Sequence, residues 1–156
     1  MYAKAIIFRQ ASEADLVSIV RLLADDCIGA TREKPLEPLV DAYRNAFKAI
    51  SADKNQLLAV AVADKTVVGT LQISFIPGIS RTGMWRGQIE AVRIKEKFRS
   101  EGLGRKMLEW GIERCIERNC GLVQLTADKN RPKAHLFYES MGFIASHEGY
   151  KLLLCS

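Results

Sequence analysis

Hydrophobic and polar positions change period several times along this chain. Residues 5–10 (AIIFRQ) form a short apolar run that reads as a first strand. Ser12, with Asp15 three residues on, then marks a helix start, and Leu16, Ile19, Val20 and Leu23 follow at i, i+3, i+4, i+7. That spacing predicts an amphipathic helix of about three turns, in a region that Gly29 closes. Pro35 and Pro38 open a second helix with the stripe Leu39, Val40, Tyr43, Phe47 and Ile50. Two apolar runs, 56–63 and 66–76, are joined by Asp64-Lys65 and predict a hairpin. Pro77-Gly78 breaks the pattern, and 79–87 is a polar, Gly-bearing loop. A strand over 88–94 leads through a basic turn into a helix over 102–119, with Leu108, Ile112, Cys115 and Ile116 on one face. A strand over 121–126 follows, then a helix started by Asn130 and Pro132 and ended by Gly142. Phe143 to Leu154 alternates around Gly149 and predicts one or two last strands. The order β-α-α-β-β-β-α-β-α-β, a hairpin region followed by one βαβ crossover, predicts a mixed sheet with helices on its faces, α/β or α+β.

Length and composition narrow the class. The chain has 156 residues, 48% hydrophobic and 26% charged, the balance of one globular domain spanning 1–156. Its longest uninterrupted apolar run, Leu57 to Ala63, is too short to span a bilayer. Lys4 and Arg9 bracket only a short apolar stretch, too little for a signal-peptide core. The expectation is a cytoplasmic protein with no membrane partner. Four cysteines, Cys27, Cys115, Cys120 and Cys155, match neither a zinc ribbon nor a C-x-x-C pair and read as reduced core thiols. No pattern suggests a metal site. Ser51-Ala-Asp-Lys54 fits S-x-x-K, but the motifs that accompany it in β-lactamases are missing.

Charge is uneven. Of the net +5, +4 lies between Arg93 and Lys106: Arg93, Lys95, Lys97, Arg99, Arg105 and Lys106 against Glu96 and Glu101. Only Phe98 interleaves with these bases, so the stacking platform of a single-strand nucleic-acid binder is absent and no nucleic-acid partner is expected. Within this patch Arg99-Ser100-Glu101-Gly102-Leu103-Gly104 joins a strand to a helix. Glycines there let the backbone approach a ligand, and the amides and dipole of a helix start favour phosphate. The Rossmann pattern fails because Met107 stands where a third Gly is required, and no Walker A motif occurs.

R-x-x-G-x-G from Arg99 to Gly104 resembles the [Q/R]-x-x-G-x-[G/A] motif of the GNAT superfamily of acyl-CoA-dependent N-acetyltransferases. Val92-Arg93-Ile94 is similar to the strand that members of that family pair with the pantetheine arm of the cofactor. Asn130, Ala134, Phe137-Tyr138-Glu139 and Met141-Gly142-Phe143 resemble its downstream signature. The resemblance covers essentially the whole chain. It implies a mixed, mostly antiparallel sheet of six to seven strands, splayed at a parallel pair and flanked by about four helices. It implies acetyl-CoA as cosubstrate and no metal. The implied cofactor contacts are Val92, Arg93, Ile94, Arg99, Ser100, Glu101, Gly102, Leu103, Gly104, Arg105, Lys106, Asn130, Lys133 and Phe137.

The implied activity is transfer of an acetyl group to a primary amine of a small or amino-acid-like molecule, by direct attack in a ternary complex. An alkylammonium with a pKa of about 10.4 is neutral to only about one part in a thousand at pH 7, so a base is needed. Glu90 holds a position where some family members carry one; Gln88, where others carry a glutamate, cannot take a proton. His135, three residues before Tyr138 on one helix face, or a water relay, are the other options. Family analogy makes the backbone amide of Val92, or of a neighbour on that strand, the oxyanion donor and Tyr138 the acid that protonates the leaving thiolate. Acceptor recognition falls to 24–38, where Asp25, Asp26 and Glu33 suit a cationic amine, and to 76–88, where Trp85, Arg81 and Arg86 suit an acidic or aromatic group. A protein or peptide amine acetyltransferase, and an acyl-CoA-binding module without turnover, remain alternatives. A homodimer through Tyr150, Leu152 and Leu154 is one option; burial of these residues in the monomer is the other.

Overall fold

The structure is a computed structural model that describes residues 5–26 and 29–154. Cys27 and Cys155 lie outside the described residues. The elements run β1 (Ile6–Gln10), a 3-10 turn (Glu13–Asp15), α1 (Leu16–Ala24), α2 (Gly29–Arg32), α3 (Asp41–Ala52), β2 (Gln56–Ala63), β3 (Thr66–Ile76), α4 (Ser80–Gly83), β4 (Arg86–Ile94), a second 3-10 turn (Glu96–Phe98), α5 (Leu103–Glu117), β5 (Leu122–Leu125) and α6 (Pro132–Ser140). The chain forms two compact units, with the boundary after Gln124.

The sheet has the order β1-β2-β3-β4-β5. Neighbours from β1 to β4 are antiparallel, and β4 with β5 is the parallel pair. The hairpin between β2 and β3 turns on Asp64 and Lys65, both at positive φ (46° and 63°), the backbone that a two-residue hairpin loop demands.

The two faces of the sheet are covered differently. Leu71, Ile73 and Ile89 lie on one face and are almost fully buried. Gly111 of α5 sits on all three; a Cβ there would stand 3.3 Å from Leu71 and 3.5 Å from Ile73. That close approach sets which side of α5 is buried: Leu103, Met107, Leu108, Gly111 and Cys115. The expected stripe was partly misplaced, since Ile116 is exposed and Ile112 only partly covered. A glycine at the centre of a helix face does not register as hydrophobic, yet it is what lets the helix dock. Each large apolar side chain buried here is worth about 1.5–3 kcal/mol. On the other face Ile19 of α1 packs with Leu58 and Val60, and Phe47 and Ile50 of α3 lean against them.

Two further expectations change. The second helix begins at Asp41, so Leu39 and Val40 precede it, although Leu39 is still buried with Leu16 and Val20. Residues 143–154 form no strand. Tyr150 is 90% exposed, and Leu152, Leu153 and Leu154 are similarly open. Among the described residues the sheet therefore has five strands rather than six or seven.

Candidate active site

The site builds from β4. Gln72 pairs with Glu90 and Thr70 with Arg93, so Leu71 of β3 alone stands opposite Ala91 and Val92 of β4. Ala91, at φ 53°, is the extra residue of a β-bulge. A bulge withdraws backbone groups from the ladder and re-aims the side chains that follow. Glu90 therefore shares its face with Gln88 and Arg93, not with Val92 and Ile94 as unbroken alternation requires. Ile94 falls on the opposite face, where its Cδ1 lies 2.8 Å from where a Cβ on Gly69 would stand.

Glu90 is exposed and stands beside a polar stripe that sequence reading missed. Gln72 Nε2 and Ser74 Oγ each donate to Gln56 Oε1 at 3.0 Å, and Gln124 Nε2 donates to Gln88 Oε1 at 2.7 Å. The signal was available: Thr70, Gln72 and Ser74 alternate with buried Leu71, Ile73 and Phe75 along β3.

Past β4 the chain turns through Lys95–Phe98. Phe98 is buried and pins the turn, with Lys97 Nζ 5.0 Å over its ring. Arg99 Nε then donates to the carbonyl of Ile94 at 2.8 Å, closing the loop over its own strand. Ser100 (φ 72°) and Gly102 (φ 77°) are left-handed. A Cβ on Gly102 would meet nothing within 4 Å, so the backbone there is bared to its surroundings. The first bond of α5 runs from Lys106 N–H to the Gly102 carbonyl at 3.1 Å. The amides of Gly102, Leu103 and Gly104 thus have no partner inside the helix. Such a helix start favours an anion. Among the described residues no cluster of side chains could hold a metal ion.

The acids expected to receive a cationic amine are engaged elsewhere. Asp26 Oδ2 lies 3.1 Å from Arg93 Nε, both side chains mostly buried, and also accepts from the Gly29 amide through Oδ1. Asp25 Oδ2 lies 3.1 Å from Arg99 Nη2. Glu33 accepts from the Tyr43 hydroxyl at 2.8 Å, and burial with that carboxylate nearby pushes the phenol up. These pairs tie the end of α1 to the basic turn and reduce the net charge of the patch from +4 to +2. Arg105 additionally faces Glu109 at 4.0 Å. In the 76–88 loop Arg81 and Thr82 are both left-handed, an unusual state for a β-branched residue.

The second unit carries the downstream residues. Asn130, Lys133 and their neighbours line a hollow of about 390 Å³ at the start of α6. Tyr138 packs between Phe137 (ring centroids 5.3 Å) and Phe143 (6.0 Å). Nε2 of the His135 ring lies 2.8 Å from the carbonyl oxygen of Asp128.

The Acetyltransferase (GNAT) family profile matches residues 17–143. The aminoalkylphosphonate N-acetyltransferase of Salmonella typhimurium is 26% identical over 106 residues, covering 68% of either chain. A transcriptional regulator from Bacillus halodurans C-125 has a structure similar to this one at TM-score 0.94, with 46% identity over 96% of this chain and 100% of that one. A predicted acetyltransferase from Clostridium acetobutylicum, solved with acetyl-CoA, shares the fold at TM-score 0.73 and 22% identity, covering 96% and 97%. The profile spans most of the chain, and the protein belongs to the acetyltransferase (GNAT) family.

Proposed function

We propose that this protein is an acetyl-CoA-dependent N-acetyltransferase acting on a primary amine of a small, amino-acid-like molecule. The observation that carries the reading is the left-handed turn at Ser100 and Gly102, which presents the first amides of α5 beside a basic patch. Bound there, acetyl-CoA supplies the activated acetyl group. The amides of Gly102, Leu103 and Gly104 hold its diphosphate, with Arg99, Ser100, Glu101, Arg105 and Lys106 around it. Val92, Arg93 and Ile94, next to the bulge, offer strand-edge groups to the pantetheine amides. Asn130, Lys133 and Phe137 complete the cofactor contacts.

In this reading Glu90 takes the ammonium proton of the acceptor, directly or through a water, and the neutral amine attacks the thioester carbon. The amide of Val92, next to the bulge, donates to the carbonyl oxygen as charge builds on it. Tyr138 gives its proton to the departing sulfur as the C–S bond breaks, and its phenolate recovers the surplus proton from the newly acetylated nitrogen. Glutamine and serine side chains beside Glu90 suit an acceptor bearing hydroxyl or amide groups.

The test is acetyl-CoA-dependent thiol release across a panel of amines. Release with one amine class supports the enzyme. Tight acetyl-CoA binding with no release from any amine favours the second reading, a non-catalytic acyl-CoA-binding protein, for which the B. halodurans neighbour described as a transcriptional regulator is the supporting observation. No stabilisation by acetyl-CoA would remove both.

A further inference from the structure

The C-terminal end of α5, remote in sequence from the turn that starts it, carries two cysteines in a defined backbone motif. Asn119, at φ 56°, stops the helix. Its amide donates to the Ile116 carbonyl at 2.9 Å, and the Cys120 amide reaches back to the Cys115 carbonyl at 3.0 Å. This pair of bonds is a Schellman cap, in which the residue after the left-handed position folds its side chain onto the helix residue five before it. In most such caps that contact is between two apolar groups. Here it joins Cys120 to Cys115, and the two thiols are near enough for each to perturb the other.

The two thiols differ in access. Cys115 is 1% exposed and fits against Gly87, where a Cβ would stand 2.3 Å from its Sγ. Cys120 is partly exposed. Both sit at the junction of three elements, because the Gly121 amide donates to the Trp85 carbonyl at 2.8 Å just ahead of β4. A disulfide needs Cα atoms about 4.4–6.8 Å apart and side chains directed at one another, and a Schellman cap already holds its two ends at close range.

We infer that Cys115 and Cys120 are a reversible thiol-oxidation site, closing to an intramolecular disulfide across the C-terminal cap of α5. The oxidant is a low-molecular-weight disulfide such as oxidised glutathione. Cys120, the accessible thiol, attacks it as thiolate; one S–S bond breaks, a mixed disulfide forms and one glutathione thiolate leaves. Cys115 then loses its proton to solvent and attacks the Cys120 sulfur, displacing the second glutathione. Two protein thiols are oxidised and one glutathione disulfide is reduced to two thiols. Burial, followed by the neighbouring Cys120, pushes the Cys115 thiol up to about 12, which assigns it the second, resolving role.

The test is peptide mapping of the folded protein. The chain is incubated with oxidised glutathione, remaining thiols are alkylated, and trypsin cleaves after Arg114, Arg118 and Lys129. The inference expects segment 115–118 disulfide-linked to segment 119–129, with the link lost on treatment with dithiothreitol. Cys115→Ala is expected to stop at a stable glutathione adduct on Cys120, and Cys120→Ser to give neither product. A persistent adduct on Cys120 of the wild-type chain without the linked pair would overturn the inference. So would a linked pair that forms only in urea. The wild-type measurement stands alone if a variant fails to fold.

Discussion

Replacing Asp15 by Asn tests how the chain enters α1. Asp15 is 6% exposed, and its carboxylate accepts from Arg9 Nη1 and Nη2 at 2.7 and 2.9 Å and from the Ser12 amide and hydroxyl at 2.8 Å. The Arg9 guanidinium, helped by the Ser12 donors and opposed by burial, holds the carboxyl at about 2, against 3.8 for a free one. Converted at about 1.4 kcal/mol for each tenfold change, that depression contributes about 2 kcal/mol of stability at neutral pH. The folded-state value is lowered, so the contribution is complete above about pH 4 and is lost as the pH falls toward about 2; about half is left at about pH 3. Urea unfolding of wild type and Asp15→Asn at neutral pH should show the variant weaker by about 2 kcal/mol, with the gap halved at about pH 3. Equal stabilities at neutral pH, or a gap that does not shrink with acid, would refute the reasoning.

Other positions give outcomes of different kinds. Gly102→Ala meets no steric obstacle but forces an L side chain into the left-handed region; it should cost about 1 kcal/mol in thermal or urea unfolding and weaken acetyl-CoA binding by calorimetry. Gly87→Ala drives a methyl onto the Cys115 sulfur, and a loss of about 1–3 kcal/mol in urea unfolding is expected, largely recovered in a Cys115→Ala background. For Glu90→Gln, the pH–rate profile should show a rate loss that shrinks as the solution itself deprotonates the amine; a loss independent of pH would make Glu90 a positioning group. Tyr138→Phe should lower kcat while leaving acetyl-CoA affinity, measured by calorimetry, unchanged.

Local chemistry was legible in the sequence, and long-range pairing was not. Asp64-Lys65 between two apolar runs announced a hairpin, and Arg99 to Gly104 announced the strand-to-helix turn, because both depend on residues next to each other. The bulge at Ala91 left no trace: alanine carries no marker for positive φ, and one extra residue is visible only against the partner strand. That single residue reverses which neighbours share a face with Glu90. Asp25 and Asp26 looked like free acids because their partners, Arg99 and Arg93, are far along the chain. Residues 143–154 alternate like a strand, but a strand is defined by its ladder. Among the described residues, the backbone bonds donated from that stretch run from Phe143 to Tyr138 and from Ser146 to Ile144, and neither makes a ladder.

Titration of the isotope-labelled protein with acetyl-CoA, followed by amide NMR, addresses the central claim most directly. The largest shifts are predicted at Ser100 through Gly104, with a second set along Val92 to Ile94. Saturable binding that leaves those amides unmoved while others shift would contradict the account.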